Sequence, residues 1–326
     1  MTTFIRGLFS LLIMKIGFTR STMLEESRIA LMPEDLERLS NPSSVVLEKG
    51  YGASIGISDF EYQKRGAAIC SRERIDTEVL VVPKRSHRDI SILRNGQTIL
   101  GWFYVSQTPW LEEEIKNKKL TVIAFEYMQH NGRNVFWKNS RIAGRIGILD
   151  ALVRKPVDSL DSLIAVLGNG NVGNAAKAVL SKKGYHYDVY HHHDLDAFKQ
   201  NSRQYDMVVN CLKWHSNEFL INREDLVRMK WGCYIVDLSS DGIEGSVPRS
   251  IYNPLYWHET TKGKGLFIYN NEHTPTLVPR IASKCISEAL TPYLNDILAG
   301  RPSPVLERAT VYRNGLPCDK VIKLSH

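Results

Sequence analysis

Cysteine is scarce in this sequence of 326 residues, with five spread along it as Cys70, Cys211, Cys233, Cys285 and Cys318. None forms a Cys-x-x-Cys pair. That argues against a disulfide framework or a structural zinc site and for a reducing cytoplasm. No segment approaches the ~18 unbroken apolar residues that a membrane-spanning helix requires. No long basic block is present, although 42 Lys and Arg outnumber 35 Asp and Glu and leave a formal net charge of +7. Neither nucleic acid nor a membrane is therefore an expected partner. The modest surplus suits an enzyme that holds small anionic substrates and a phosphorylated cofactor. Internal repeats and low-complexity tracts are absent too. The 43% hydrophobic and 24% charged content matches folded globular chains and excludes disorder or a coiled coil for the bulk. The length suits two domains, at roughly 100–200 residues each.

Residues 7–13 follow Arg6 and resemble a short signal-type apolar segment, but Lys15 interrupts it and 16–19 reads as a first strand. Residues 1–13 are expected to be an extension, with Met14 a natural start. From there to about Lys138, β-branched runs at 44–48, 79–83, 97–102 and 121–125 alternate with helical stretches. Pro33 with Glu34 and Asp35 marks a helix start. Residues 140–153 repeat apolar side chains at helical spacing, yet contain Gly144 and Gly147. Two glycines weaken a helix and make sense where another backbone or a ligand comes close. A second α/β alternation follows, with strands at 163–167, 187–190, 206–210, 234–237 and 266–269. A final helix, 281–298, is expected to be interrupted at Pro292.

The apolar run 163–167 leads into Gly168-Asn169-Gly170-Asn171-Val172-Gly173, which opens a helix rich in small residues. In a strand–turn–helix setting each glycine has a task. Gly168 permits the tight turn, Gly170 lets backbone approach a pyrophosphate, and Gly173 lets helix and strand pack closely. The helix start supplies N–H groups and a positive dipole end to the anion. An acid after the next strand would favour NAD through the ribose 2′-hydroxyl. Here Tyr190 is followed by His191, His192 and His193, with the acid delayed to Asp194. Histidines suit a 2′-phosphate, so His192 and His193 are assigned to the cofactor and NADP is expected over NAD. Consecutive residues cannot all face one ion, so no metal is expected.

Four further residues are assigned to catalysis. Arg28 lies between a strand and a helix, where a guanidinium can grip a carboxylate or pair with Glu25 or Glu26. Lys84 closes a strand, either aimed into a cleft or part of a solvated basic loop. Tyr104 follows Trp102 and Phe103, as a hydroxyl donor or as core. Asp241, with Asp237, flanks a strand end, the side on which open α/β sheets bind ligands. His273, after the last expected strand, is assigned to cofactor contact or proton transfer.

Together these segments resemble the alanine dehydrogenase and transhydrogenase family. The likeness rests on Arg28-Ile29-Ala30-Leu31-Met32-Pro33, Gly101-Trp102, Ala143-Gly144-Arg145-Ile146-Gly147, the glycine turn, Ile243-Glu244-Gly245-Ser246 and Thr274-Pro275-Thr276. Within the family it points to the branch that joins a keto acid to an amino acid's side-chain amine. The resemblance implies a two-domain α/β chain around a cleft. A Rossmann doubly wound parallel sheet at 141–279 would accompany an N-terminal α/β catalytic domain at 14–140, completed by the C-terminal helix and 280–326. It implies that Arg28 and Lys84 bind the keto acid, that Asp241 faces the nicotinamide, and that the chain forms a homo-oligomer. Two departures stand out: Tyr104 replaces a histidine of the relatives, and His273 replaces an asparagine. The expected reaction is NAD(P)H-dependent condensation of pyruvate with ornithine or lysine. The alternatives are an alanine or saccharopine dehydrogenase, or a non-catalytic dinucleotide sensor.

Overall fold

A computed structural model describes residues 14–84, 86–105, 108–213, 218–239 and 242–318. They form two compact units. One contains 14–23, Ile29–Val135 and 287–318; the other contains Leu24–Arg28 and Phe136–Ile286. The divisions at 140 and 280 expected from sequence thus move to Val135 and to Ser287, within the final helix, and Leu24–Arg28 joins the second unit.

The first unit is built on β1 (Ile16–Phe18), β2 (Val45–Glu48), β3 (Ala68–Cys70), β4 (Val79–Lys84), β5 (Thr98–Trp102) and β6 (Thr121–Ala124). These strands are parallel, in the order β6-β5-β4-β1-β2-β3. Ile16, Phe18, Leu80, Val82, Ile99 and Val122 are almost wholly buried, as expected where both faces of a parallel sheet are covered. An irregularity in the β4–β5 pairing between Val81 and Lys84 sets Lys84 opposite Trp102. The C-terminal part of the chain contributes more than the expected helix. Thr310–Arg313 adds antiparallel to the β6 edge, and Leu316–Pro317 pairs with it in turn.

The second unit carries β7 (Ile164–Leu167), β8 (Tyr187–Tyr190), β9 (Met207–Asn210), β10 (Tyr234–Asp237), β11 (Leu255–Glu259) and β12 (Gly265–Asn270), in the order β8-β7-β9-β10-β12-β11. Five strands are parallel. The sixth, β11, was not expected from sequence and runs antiparallel on the outer edge. Its residues are only partly buried, so it has no all-apolar run to announce it. Helices α1 (Trp137–Arg154) and α2 (Asn171–Lys182) cover one face through Ile148, Ala151, Val179 and Leu180. Phe198, Leu226 and Met229 cover the other. The sheet is therefore doubly wound. Helix α3 (Pro279–Leu298) runs through Pro292 without interruption. Ile286, Leu290 and Leu294 are buried along it, and this packing outweighs the hydrogen bond that the proline removes.

Candidate active site

From β7 the chain steps to β8 on one side and to β9 on the other. The glycine turn follows β7, so it occupies the point where the strand order reverses, at the carboxyl ends of the strands. Gly168 has φ +104°, and a Cβ there would press on the Cys211 backbone at 3.1 Å. A Cβ on Gly173 would lie 2.2 Å from the Gly168 carbonyl oxygen. A Cβ on Gly170 would meet nothing within 4 Å. The first and third glycines are thus demanded by the chain itself. The middle one borders open space at the N-cap of the 12-residue α2. That combination fits a bound pyrophosphate: free N–H groups, a helix dipole and no side chain in the way.

Asn171 and Val172 form the first turn of α2. Gly144 of α1 faces the Val172 carbonyl, which a Cβ would approach to 2.1 Å, and Gly147 meets the Leu238 side chain. Both helix glycines are therefore explained by close approach. Asn169 accepts from the Asn174 side chain through its carbonyl at 2.7 Å, and its side-chain oxygen accepts from Lys177 Nζ. Lys177 places a cation over the turn. Sequence reading missed it, although it sits only one helical turn beyond the last glycine.

At the end of β8, the rings of His191 and His193 stack with centroids 5.4 Å apart and planes within 1°. His191 N–H donates to Asp194 Oδ2 at 3.0 Å. The paired histidines are thus the first and third of the run, whereas sequence reading had named His192 and His193. His192 is exposed beside them. Among the described residues no three His, Cys, Asp or Glu side chains are grouped to hold a metal ion.

Arg28 belongs to this same unit. Its Nε donates to Glu26 Oε1 at 2.7 Å and its Nη2 to Glu26 Oε2 at 2.5 Å. Both side chains are almost fully buried, so the pairing is a desolvated, side-on fork rather than the surface salt bridge weighed from sequence. Nη1 approaches Asn139 Oδ1 of α1 at 3.5 Å. Glu25, in a left-handed conformation at φ +65°, accepts from Ser250 Oγ at 2.5 Å and Ile251 N–H at 2.6 Å. Thr276 Oγ1 donates to the Glu25 carbonyl at 2.9 Å and accepts from Ser27 N–H at 3.0 Å. These bonds explain why Leu24–Arg28 groups with the second unit. Thr274 Oγ1 in turn donates to the Ala143 carbonyl at 3.1 Å. Glycine turn, α1, Thr-Pro-Thr segment and Arg28 thus form one contiguous set. His273 caps that segment; it is buried, and its N–H donates to Asn271 Oδ1 at 3.1 Å.

Lys84 and Tyr104 lie in the first unit, at the ends of the neighbouring strands β4 and β5. Tyr104 has φ +43°, a left-handed conformation uncommon for a non-glycine residue. Its N–H donates to Glu126 Oε1 at 2.6 Å, and the carbonyl accepts from Thr108 Oγ1 at 3.2 Å. Phe103 is fully buried and Tyr104 is half-buried. Glu126 is a second residue that sequence reading missed. Asp241 lies outside the described residues. Asp237 is fully buried and accepts from Asn210 Nδ2 at 3.0 Å and Ser246 Oγ at 2.6 Å. Glu244 accepts from Arg223 N–H at 2.8 Å and pairs with its guanidinium.

Residues 18–143 match the family described as Alanine dehydrogenase/PNT, N-terminal domain, and residues 189–321 match Alanine dehydrogenase/PNT, C-terminal domain. The chain is 28% identical over 300 residues to an N(5)-(carboxyethyl)ornithine synthase of Lactococcus lactis subsp. lactis (strain IL1403), covering 85% of this chain and 95% of that protein. It is 23% identical over 330 residues to alanine dehydrogenase 1 of Staphylococcus aureus (strain NCTC 8325 / PS 47), covering 87% of each. Among solved structures, an L-alanine dehydrogenase superposes with a TM-score of 0.77 at 18% identity, over 96% of this chain and 99% of that one. That likeness concerns the fold.

Proposed function

The chain belongs to the alanine dehydrogenase/PNT family, and from that membership we propose an oxidoreductase that forms a carbon–nitrogen bond between pyruvate and the side-chain amine of ornithine or lysine, with NADPH as reductant. The observation that carries this reading is the contiguous set in the second unit: a glycine turn open at Gly170, joined through α1 and the Thr-Pro-Thr segment to a buried arginine. The name of the Lactococcus relative supplies the product class, a carboxyethyl group on the ornithine N5.

The amine attacks the keto carbon, water leaves, and the resulting imine accepts a hydride at carbon and a proton at nitrogen. The bound dinucleotide supplies that hydride. The segment from Gly168 to Gly173, including Asn169, Asn171 and Val172, holds the pyrophosphate, with Lys177 adding charge. The stacked His191 and His193, with His192, meet the 2′-phosphate, and His273 supports the nicotinamide end. Arg28 holds the keto-acid carboxylate, its plane set by Glu26. A guanidinium has five N–H donors; the Glu26 fork takes two and Nη1 approaches Asn139. Lys84 polarises the keto oxygen, Tyr104 delivers the proton to the departing water, and Asp241 takes the basic end of the amine substrate. Holding both reactants in register supplies roughly 7–11 kcal/mol of the barrier.

Purified protein with NADPH and pyruvate is expected to oxidise the cofactor when ornithine or lysine is added and to yield a product of opine mass. Turnover with ammonium alone would assign an alanine dehydrogenase instead. Tight NADPH binding without turnover on any keto acid–amine pair would assign a sensor.

A further inference from the structure

We propose that the second unit carries a separate binding site for an oligophosphate at the amino ends of its strands. The ligand is a nucleoside triphosphate or an inorganic oligophosphate, which share a chain of linked phosphates. A cavity of about 880 Å³ opens there, in the size range of small-molecule sites. Six cations line it: Arg203, Arg223, Arg228, Lys230, Lys262 and Lys264. The lining holds one acid, Glu224.

These charges come from three separate parts of the chain. Arg203 precedes β9, Arg223 to Lys230 precede β10, and Lys262 and Lys264 sit in the turn between β11 and β12. No local motif gathers them; the fold does. Several are partly neutralised. Arg223 pairs with Glu244, Lys230 with Asp206, and Arg228 lies 3.9 Å from Asp225, which also takes Lys199 at 3.0 Å. Lys264 Nζ donates to the Met229 carbonyl. Arg203 and Lys262 have no acidic partner among the described residues, and both are exposed. Net positive charge therefore persists around a cavity wider than one phosphate needs. Forked guanidiniums and point-charge ammoniums are the side chains that bind phosphate oxygens best.

The site is distinct from the dinucleotide cradle. The glycine turn follows the carboxyl end of β7, whereas Arg203, Arg228, Lys230, Lys262 and Lys264 stand just before the starts of strands parallel to β7. Arg223, at the start of its helix, reaches back to Glu244 beyond β10; the other five cations lie at the end of the sheet opposite the glycine turn, so both sites can be filled together. This inference does not depend on the reaction proposed above.

The full-length protein is titrated calorimetrically with inorganic tripolyphosphate and, separately, with ATP, with and without saturating NADPH. Each is expected to bind one-to-one in the presence of NADPH, more weakly as salt rises from about 50 to about 200 mM. The double variant Arg203→Gln/Lys262→Gln should weaken binding by at least about tenfold with NADPH affinity unchanged. The charge-conserving Arg203→Lys/Lys262→Arg should retain binding. Equal affinity for the two ligands supports recognition of the phosphates alone; tighter ATP binding supports a nucleoside triphosphate. Absence of binding at the lower salt, displacement by NADPH, or unchanged affinity in the double glutamine variant would overturn the site.

Discussion

Glu48 and Asp237 hold equivalent places in the two units. Each is the last residue of a buried parallel strand, and each is itself buried. Their surroundings differ. Glu48 accepts from Arg20 N–H at 2.8 Å, Arg20 Nε at 3.1 Å and Arg72 Nη2 at 2.8 Å. Arg72 also reaches Asp89 Oδ1 at 2.7 Å, so one guanidinium bridges two acids. Asp237 instead gathers amides and a hydroxyl. Asn210 and Asn270 stand at the same register on the flanking strands, and Ser239 N–H and Ser246 Oγ fold back from the chain beyond β10. In the first unit charge is met by charge, which locks the strand ends. In the second, a carboxylate organises the chain leaving the sheet on the side that bears the glycine turn. A buried acid thus serves rigidity in one place and loop placement in the other.

The largest expected effect is that of Arg72→Met. It removes the buried cation that bridges two buried carboxylates, leaving Glu48 with Arg20 and Asp89 with the Thr22 N–H, and should cost about 3–5 kcal/mol, read from urea unfolding. Adding Glu48→Gln and Asp89→Asn should recover part of that loss; no recovery would mean that Arg72 matters for packing rather than for charge. Asp237→Asn keeps the shape but turns an acceptor into a donor against Asn210 or Ser246. About 1–3 kcal/mol is expected, with weaker binding of the nicotinamide dinucleotide as the chain beyond β10 loosens. Unchanged dinucleotide affinity would remove the loop-placing role. Ser246→Ala deletes one donor to the same carboxylate and should cost about 1 kcal/mol. In alkali the units should not differ. Burial raises the hydroxyls of Tyr51, Tyr62 and Tyr312 in the first unit and Tyr205, Tyr234 and Tyr269 in the second above their ordinary value of 10.0. The unfolded chain then releases protons that the folded chain retains, so stability is full below pH 10 and falls as pH rises past it. Ionisation of these six tyrosines should accompany unfolding in both units; tyrosinate absorbance accounting for all 14 tyrosines of the chain in a still-folded protein would contradict the burial.

The readable parts of the molecule were those whose reasons are local. The turn from Gly168 to Gly173 declared itself because its strand, turn and helix are contiguous. Tyr234–Asp237 was found at its full extent because an apolar run bounded by turns has few other readings. Gly144 and Gly147 announced a close approach without naming what approached. Edge strand β11 stayed hidden, since one exposed face and a mixed composition leave no run to see. Pro292 misled, because a proline's local cost is visible and the buried leucines that offset it act through tertiary contacts.

Chemistry followed the same divide. Arg28 and Glu26 are two residues apart, yet whether they would meet in water or in the interior depended on Thr276 and Ser250, more than 220 positions away. Glu126 holds the strained Tyr104 backbone from 22 positions off. The order of amino acids was enough to dictate the strand–turn–helix cradle, because backbone sterics and helix dipoles operate over a few residues. Folding in three dimensions settled which unit owns Arg28, where the histidines stack and where six distant cations converge. Burial and charge pairing are properties of neighbours in space, and neighbours in space are chosen by the whole chain.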